Sequence, residues 1–493
     1  MSRITVNEHL DHTIVRDIPY QNYHKHQDKY CLDLFLPRTF FCPSKDQIQK
    51  IFSTGYPIHH RQGVTNDSCS LPEPTSPLCH GQVAPTFSDG KAWPRPPPVV
   101  LFVHGGGWQR GCRRAWTYFG GSINLLLCFT TWFFGLYHNV GASLACRGVA
   151  CAVISYPLTR PAMPWVILDV IVSYTGSAIF SFIVYQLIST SCFISHEIYS
   201  FLMQCENVLM FDAECLERTN CVFNVPLSSV FIFTNYLTLL AMLICSCNNP
   251  LKDIPPLGAR LLWTTVCFLL AHLSSAVGSE TAVYTYLCTL LLCVSIQLHS
   301  ARQWQSVSNS QQIRAITTAM KWIKNCSERT SYFDSTSLFL MGHSAGGQLV
   351  SQLALDKHQL DDGGCSSHDI KGVVSISGVY DLQKLSSPVL RRLYLHPAFG
   401  PHPDNWLQAS PLTLISQPID GRSCPPFLLL TAQIDGHLNN DADEFYKKLK
   451  LRNVTVMKYI IPSTMHLTIM ACFSVFQSSV CQRCVDFIKD NAS

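Results

Sequence analysis

The sequence predicts an α/β protein, a doubly wound and mostly parallel sheet interrupted by a long helical insert. Short apolar runs of the kind that form buried strands recur along the chain, at 99–103, 149–155, 337–341 and 427–432. They alternate with segments that carry apolar residues at helical spacing, such as 311–324. This alternation is typical of a parallel sheet with helices on both faces. Between 164 and 300 the chain is instead dominated by long apolar stretches.

The composition argues against a nucleic-acid partner and indicates a large apolar portion. Of 493 residues 14% are charged, the net charge is +4, and the mean hydropathy is +0.15. No basic run of the kind that binds phosphates is present. The 23 cysteines are odd in number and scattered, which predicts mostly buried, reduced thiols. Cys481 and Cys484 form a lone C-x-x-C pair, so neither a metal nor a cofactor is expected.

The candidate nucleophile is Ser344, at the centre of the G-x-S-x-G pattern Gly342-His-Ser-Ala-Gly346. An apolar run precedes the pattern and a segment with helical spacing follows it, which together predict a strand, a sharp turn and a helix. Glycines are needed at such a turn because a Cβ would clash with neighbouring backbone. A serine at its apex projects its hydroxyl above the sheet, at the positive end of the next helix.

A glycine-rich loop, His104-Gly-Gly-Gly-Trp108, follows the predicted strand at 99–103. Consecutive glycines let backbone N–H groups point into a site without side chains in the way. Such donors stabilise the oxyanion that forms when a carbonyl carbon becomes tetrahedral. A plain glycine-rich turn is the alternative for this motif alone, and the serine pattern favours the functional interpretation.

Together, the two glycine motifs resemble those of the α/β-hydrolase fold, in its hormone-sensitive-lipase-like carboxylesterase branch. Further segments, at 149–156, 376–381, 399–403 and 409–412, are similar to the prenylcysteine methylesterase, arylformamidase and feruloyl-esterase-like group. The resemblance covers roughly 25–38, 99–160 and 305–490. It implies a serine hydrolase that acts on carboxylic esters, with oxyanion donors at the N–H groups of Gly106, Gly107 and Ala345. It also implies supporting roles for the rest of the loop, namely His104, Gly105 and Trp108.

The order of residues in this fold, serine then acid then histidine, selects the rest of a triad. Asp435 lies three residues past the predicted strand at 427–432, and His466 follows the predicted last strand at 454–460. The expected roles are nucleophile for Ser344, base for His466 and orienting acid for Asp435. Asp441 and Asp443 are less favoured as the acid because they fall in a predicted helix. His437 is less favoured as the base because it is too near Asp435 in the chain.

The predicted domain organisation places an insert within one hydrolase domain. Residues 1–163 and 301–493 form the two parts of the hydrolase, and 164–300 form the helical insert. Residues 40–98, rich in Pro, Ser, His and Gly, are interpreted as a long surface loop. Residues 115–140 are interpreted as a lid-like or interfacial segment, because the strands flanking them should pair in one sheet.

The insert carries four apolar segments, at about 165–194, 226–247, 261–277 and 281–298. Each approaches the ~20 residues that a membrane span needs. An even number of spans keeps both hydrolase parts on one side, and basic residues on that side indicate the cytoplasm. The sequence therefore predicts a multi-pass integral membrane protein with a cytoplasm-facing catalytic domain, the endoplasmic reticulum and Golgi being candidate compartments. A buried helical insert packed on the hydrolase is the alternative.

A membrane location would favour a lipophilic carboxylic ester as substrate, for example a prenylcysteine methyl ester, with membrane lipid as the other partner. An arylformamidase-like amide hydrolase is the main alternative. A catalytically idle, membrane-anchored binding module and a transporter are alternatives from other classes, and the complete triad and the scarcity of ionisable residues in the apolar segments argue against them. The sequence does not determine the oligomeric state.

Overall fold

The computed structural model describes most of the hydrolase parts and little of the insert. The described residues are 4–21, 27–38, 96–114, 136–160, 162–164, 167, 291, 307–385, 387–417, 424–474 and 479–492. Most of the 40–98 and 115–140 segments, and nearly all of the four apolar segments, lie outside them. The predictions made for those segments therefore stay predictions, except for the membrane location discussed below.

The described strands form one nine-stranded sheet in the order β1-β2-β3-β5-β4-β6-β7-β8-β9. Strands β4 to β9 pair in parallel, whereas β1, β2, β3 and β5 pair with one another antiparallel. The bounds are β1 Thr5–Glu8, β2 His12–Pro19, β3 Cys31–Pro37, β4 Pro98–Val103, β5 Ala150–Ile154, β6 Asp334–His343, β7 Gly372–Ile376, β8 Phe427–Ile434 and β9 Val456–Met465.

Helices connect the parallel strands, as in a doubly wound protein. The longer ones are α1 His138–Ala145, α2 Asn309–Thr330, α3 Ala345–Leu355, α4 Lys357–Asp362, α5 Pro403–Ala409, α6 Leu438–Leu451 and α7 Ser479–Asn491. A continuous helical stretch combines Pro388–Leu390, the π-helical turn Arg391–Leu395 and His396–Phe399. Shorter helical turns are Gln27–Tyr30, Ser367–Asp369, Leu382–Leu385, Pro411–Leu414, Thr468–Ala471 and Cys472–Ser474.

The predicted mostly parallel sheet is confirmed, with two differences in detail. The last strand begins at Val456 rather than 454 and runs on to Met465, so it ends directly before His466. Helix α2 is longer than the predicted 311–324, because it begins at a capping box in which Gln311 Oε1 accepts from the Ser308 N–H at 2.9 Å. The central strands β4, β5 and β7 are buried along their whole length, as their continuous apolar sequences require.

The predicted multi-pass membrane location is contradicted and is withdrawn. Among the described residues, no helix combines the length and apolar character that crossing a bilayer requires. The prediction rested on apolar length and on the charge of the loops. Apolar stretches of this length also occur in helices buried inside a protein, so these two features do not by themselves define spans.

The chain divides into two compact units. One comprises 1–115, 134–159 and 306–493, and contains the sheet and all the predicted site residues. The other comprises 116–133 and 160–305. The site described below therefore lies entirely within the first unit.

Candidate active site

Ser344 lies in the sharp turn between β6 and α3 that the sequence predicts. Its backbone is strained, with φ 54° and ψ −118°, and its N–H donates to Ile376 O at 2.9 Å. The turn tolerates only glycine at the positions two residues before and two residues after the serine. A Cβ at Gly342 would lie 2.3 Å from Gly346 O, and one at Gly346 would lie 2.1 Å from Val103 O. The pattern of glycines is thus explained by the closeness of the backbone around the serine.

The three predicted triad side chains lie in a hydrogen-bonded line. His466 Nε2 lies 2.9 Å from Ser344 Oγ, and His466 Nδ1 lies 2.6 Å from Asp435 Oδ1. The residues come from the ends of three strands that share one sheet: Ser344 follows β6, Asp435 follows β8 and His466 follows β9. In parallel strands these carboxyl ends lie along the same edge, which brings the side chains together.

Asp435 is poised to remain an anion at neutral pH. It is 8% exposed. Burial alone would raise the pKa of its carboxyl group, but the hydrogen bond from His466 and the charge of that ring outweigh burial, so the net shift of the pKa is downward. An ionised carboxylate can only accept at this position, which assigns the proton to His466 Nδ1 and leaves Nε2 free to accept from Ser344.

The two rival acids form ion pairs with lysines, and the rival base is exposed. Asp441 is buried but forms an ion pair with Lys384 at 3.0 Å. Asp443 forms a close ion pair with Lys458. His437 is exposed at the residue before α6. None of the three is among the hydrogen-bond partners of His466.

The predicted oxyanion loop lies beside the serine because of the sheet register. Strands β4 and β6 pair in parallel with Val103 opposite Gly342, so the loop after one strand adjoins the turn after the other. Gly106 and Gly107 both have positive φ, at 122° and 60°. A Cβ at Gly107 would lie 2.7 Å from Cε1 of Tyr394, in the π-helical turn. Ala345, the third predicted donor, is the first residue of α3 and is buried.

Residues at both ends of the loop anchor it to the protein interior. His104 Nδ1 donates to Gly105 O at 2.7 Å, and its ring stacks on Tyr156 with centroids 4.4 Å apart. Trp108 is 1% exposed, and its indole N–H donates to Gln348 Oε1 at 2.8 Å. These contacts fix the two ends of the loop from outside its glycines. This is what the supporting roles expected of His104 and Trp108 require.

A buried ion-pair network lies beyond the glycine-rich loop and was not predicted from the sequence. Arg113 and Asp33 are each 1% exposed and pair at 3.0 Å, with Arg114 pairing with the other Asp33 oxygen at 2.7 Å. Burial would raise the pKa of Asp33, but the charges of the two arginines hold it well below its usual range. Lys29 Nζ donates to Gly111 O at 3.2 Å nearby. The only signal in the sequence was the single charge within the apolar strand β3.

His343 and Tyr137 are two further residues at the site that the sequence did not single out. Both are fully buried. His343 Nε2 lies 2.8 Å from His466 O, and its Nδ1 lies 3.0 Å from Tyr137 Oη. The Gly105 N–H donates to the same Tyr137 Oη at 3.1 Å. The position of His343 directly before the serine was the available signal.

A cavity of about 500 Å³ lies away from the triad. It is bordered by the start of α2 and by the segment around Phe399, whose ring contacts Trp108 edge-on at 4.9 Å. None of the predicted site residues lines it. In the part of the chain that the structure describes, no group of His, Cys, Asp or Glu side chains is arranged to hold a metal ion.

Comparison with known families agrees with the fold. The profile of a family described as alpha/beta hydrolase fold matches residues 308–470, which include Ser344, Asp435 and His466. The chain therefore has the α/β-hydrolase fold, and the predicted resemblance to carboxylesterases of this fold is confirmed. The match also supports the expectation that the chain is a hydrolytic enzyme.

Individual relatives are distant. The kynurenine formamidase of Danio rerio is 28% identical over 141 residues, which cover 28% of this chain and 45% of that protein. Among solved structures, esterase B from Lactobacillus rhamnosis is 12% identical at a TM-score of 0.46, covering 99% of this chain and 88% of that chain. A truncated carbohydrate esterase from gut microbiota is 10% identical at a TM-score of 0.42, covering 99% and 98%. The similarities to these two solved structures support no statement about substrate.

Proposed function

We propose that this protein is a serine hydrolase that cleaves carboxylic esters through an acyl-enzyme, with Ser344, His466 and Asp435 as its triad. The observation that carries the proposal is the continuous hydrogen-bonded line from Ser344 Oγ through the His466 ring to Asp435. Three residues far apart in the chain meet there at 2.9 and 2.6 Å, in the order that acyl transfer requires.

The reaction follows from these contacts. His466 Nε2 takes the Ser344 proton as Oγ attacks the ester carbonyl carbon, and a tetrahedral adduct forms. His466 then gives the proton to the leaving alcohol, which departs and leaves an acyl group on Ser344. Water, deprotonated by the same nitrogen, attacks the acyl carbon and releases the acid, with the proton returning to Ser344. Asp435 stabilises the positive imidazolium in each half-reaction.

The oxyanion of both adducts would be bound by the N–H groups of Gly106, Gly107 and Ala345. The support for this assignment is the adjacency of the loop and the serine turn through the β4–β6 register. Ala345 adds the first N–H of α3, where the helix dipole favours negative charge. Each such donor is typically worth ~10²–10³-fold in kcat.

The preference for a prenylcysteine methyl ester or another lipophilic ester depended on the membrane location. With that location withdrawn, such an ester is one candidate to be tested among several. An arylformamide is the second candidate, favoured by the similarity of 28% over 141 residues to a protein named kynurenine formamidase. A formamide presents the same carbonyl to Ser344 and requires His466 to protonate an aromatic amine in place of an alcohol.

The test is hydrolysis by the purified full chain of three kinds of substrate: p-nitrophenyl esters of increasing acyl length, an N-formyl aromatic amine, and a prenylcysteine methyl ester. Ser344→Ala should abolish turnover of every substrate that the wild type accepts. Ser351→Ala is the matched control, because Ser351 is also buried, lies on α3 and only bonds Gly347 O at 2.7 Å. Ser351→Ala should keep kcat within about threefold of the wild-type value. A typical single hydrogen bond contributes only ~1 kcal/mol to folding, and Ser351 has no role in the proposed reaction.

The outcomes separate the candidates. Ester turnover that exceeds formamide turnover in kcat/KM by tenfold or more would support the esterase proposal, and the reverse would establish the formamidase alternative. Turnover that survives Ser344→Ala would refute the triad assignment. A folded wild type inactive on every substrate and unreactive toward a fluorophosphonate would favour the idle binding module.

A further inference from the structure

We propose that His343 and Tyr137 form a hydrogen-bonded relay that positions the catalytic histidine and the oxyanion loop relative to each other. The inference rests on the proposed function, because it assigns positioning roles around that same triad. The relay runs from His466 O through the His343 ring and the Tyr137 hydroxyl to the Gly105 N–H. It thereby joins the loop carrying the base to the loop carrying the predicted oxyanion donors.

The hydrogen-bond donors and acceptors of the relay can each be assigned. His466 O can only accept, so His343 Nε2 carries the hydrogen and donates at 2.8 Å. Burial, together with repulsion from the nearby His466 ring, lowers the pKa of His343 to about 3, so the ring is neutral and Nδ1 accepts. Tyr137 then donates to Nδ1 at 3.0 Å, and its oxygen accepts from Gly105 N–H at 3.1 Å. Donors and acceptors match along the whole line.

The relay contacts both the residue that serves as the base and the loop that carries the predicted oxyanion donors. Asp435 fixes the His466 ring, whereas His343 fixes the backbone of the same residue, so the base is held from two sides. At the other end, Gly105 directly precedes the predicted donors Gly106 and Gly107. A displacement of ~1 Å between reacting groups can cost as much as ~10²-fold in rate. A link that ties these two loops together therefore bears on kcat more than on binding.

The relay is built to be rigid. Tyr137 and His343 are each fully buried. The Tyr137 ring packs against Phe102 and His104, with centroids 5.6 and 5.9 Å away. The His343 and His466 rings lie 5.0 Å apart, centroid to centroid. A neutral His343 at this distance adds no repulsion when His466 becomes positive during the reaction.

The test compares Tyr137→Phe with Tyr20→Phe in the full chain. Both tyrosines are buried. The Tyr20 hydroxyl also donates a buried hydrogen bond, to Ser155 O at 2.7 Å, but lies outside the relay. Tyr137→Phe should lower kcat by about tenfold with KM changed less than twofold, and should slow fluorophosphonate labelling of Ser344 by a similar factor. Tyr20→Phe should lower thermal stability and leave kcat within about twofold.

A second variant keeps the test decisive if Tyr137→Phe folds poorly. His343→Phe keeps an aromatic ring at this position but removes both the donor to His466 O and the acceptor of the Tyr137 hydroxyl. It should reproduce the kcat loss, and the double variant should be no worse than either single one, because both cut the same junction. Loss of stability with unchanged kcat in either folded variant would show a purely structural role and overturn the relay. Wild type without Ser344-dependent activity would instead overturn the proposed function itself.

Discussion

Replacing Asp435 by asparagine is the substitution whose consequence follows most directly from the geometry. The carboxylate accepts from His466 Nδ1 at 2.6 Å, which leaves Nε2 unprotonated toward Ser344. An asparagine amide in the same place can present its NH₂ group to Nδ1. The ring then adopts the other tautomer, with its hydrogen on Nε2, and can no longer accept the proton of Ser344.

The size of the effect can be worked from the same contact. A carboxylate and an imidazolium 2.6 Å apart attract by about 6 kcal/mol at the effective dielectric of ~20 that suits protein sites. Each tenfold in rate corresponds to ~1.4 kcal/mol, so the full loss of this attraction is an upper limit of roughly four orders of magnitude. We expect kcat to fall ~10³–10⁴-fold, with KM changed much less.

The assay is steady-state hydrolysis of a short-chain p-nitrophenyl ester, with thermal unfolding measured alongside. Asp443→Asn is the matched control, because Asp443 lies on α6 and pairs with Lys458 at the surface. That control should change kcat less than twofold. A loss of less than tenfold in correctly folded Asp435→Asn, or an equal loss in Asp443→Asn, would refute the assignment of Asp435 as the orienting acid.

Three further predictions concern the surroundings of the triad. Asp33→Ala should lower the free energy of unfolding by ~1–3 kcal/mol in urea titrations, because it removes the buried carboxylate that Arg113 and Arg114 share and leaves Arg113 only Asp17 as an acidic partner; an unchanged free energy of unfolding would contradict this. Burial lowers the pKa of His138 from 6.5 to about 4, so its stabilising effect is present above pH 6.5 and lost on acidification. His138→Gln should therefore reduce the stability difference between pH 8 and pH 5 by about 2 kcal/mol, and an unchanged difference would count against a neutral buried ring. Gly107→Ala should lower kcat at least tenfold, because its Cβ would meet the Tyr394 ring at 2.7 Å in a backbone with φ 60°; full activity would show that the loop is not fixed there.

Much of the site was predictable because its signals are local. Ser344 is marked by glycines that the turn requires, and Asp435 and His466 follow apolar strands whose order along the chain fixes their place at one sheet edge. The strands β4, β5, β6 and β8 were visible as continuous apolar runs because both faces of a central strand are buried.

The features that escaped prediction depend on contacts between distant residues. Tyr137 and Gly105 are 32 residues apart, and Tyr137 and His343 are 206 apart, so no spacing rule connects them. The antiparallel strands β1 and β2 were missed because their sequences lack a long apolar run. The membrane location was wrong because apolar length and loop charge were treated as sufficient for a span.

The central claim is that Ser344 is the nucleophile of an acyl-transfer triad. The most direct measurement is mass spectrometry of the full chain after reaction with a fluorophosphonate, followed by peptide mapping. The account predicts one covalent adduct, located on Ser344, that forms in wild type and is absent from Ser344→Ala. Its rate of formation should fall in Asp435→Asn. An adduct on another serine, or none on folded wild type, would contradict the account.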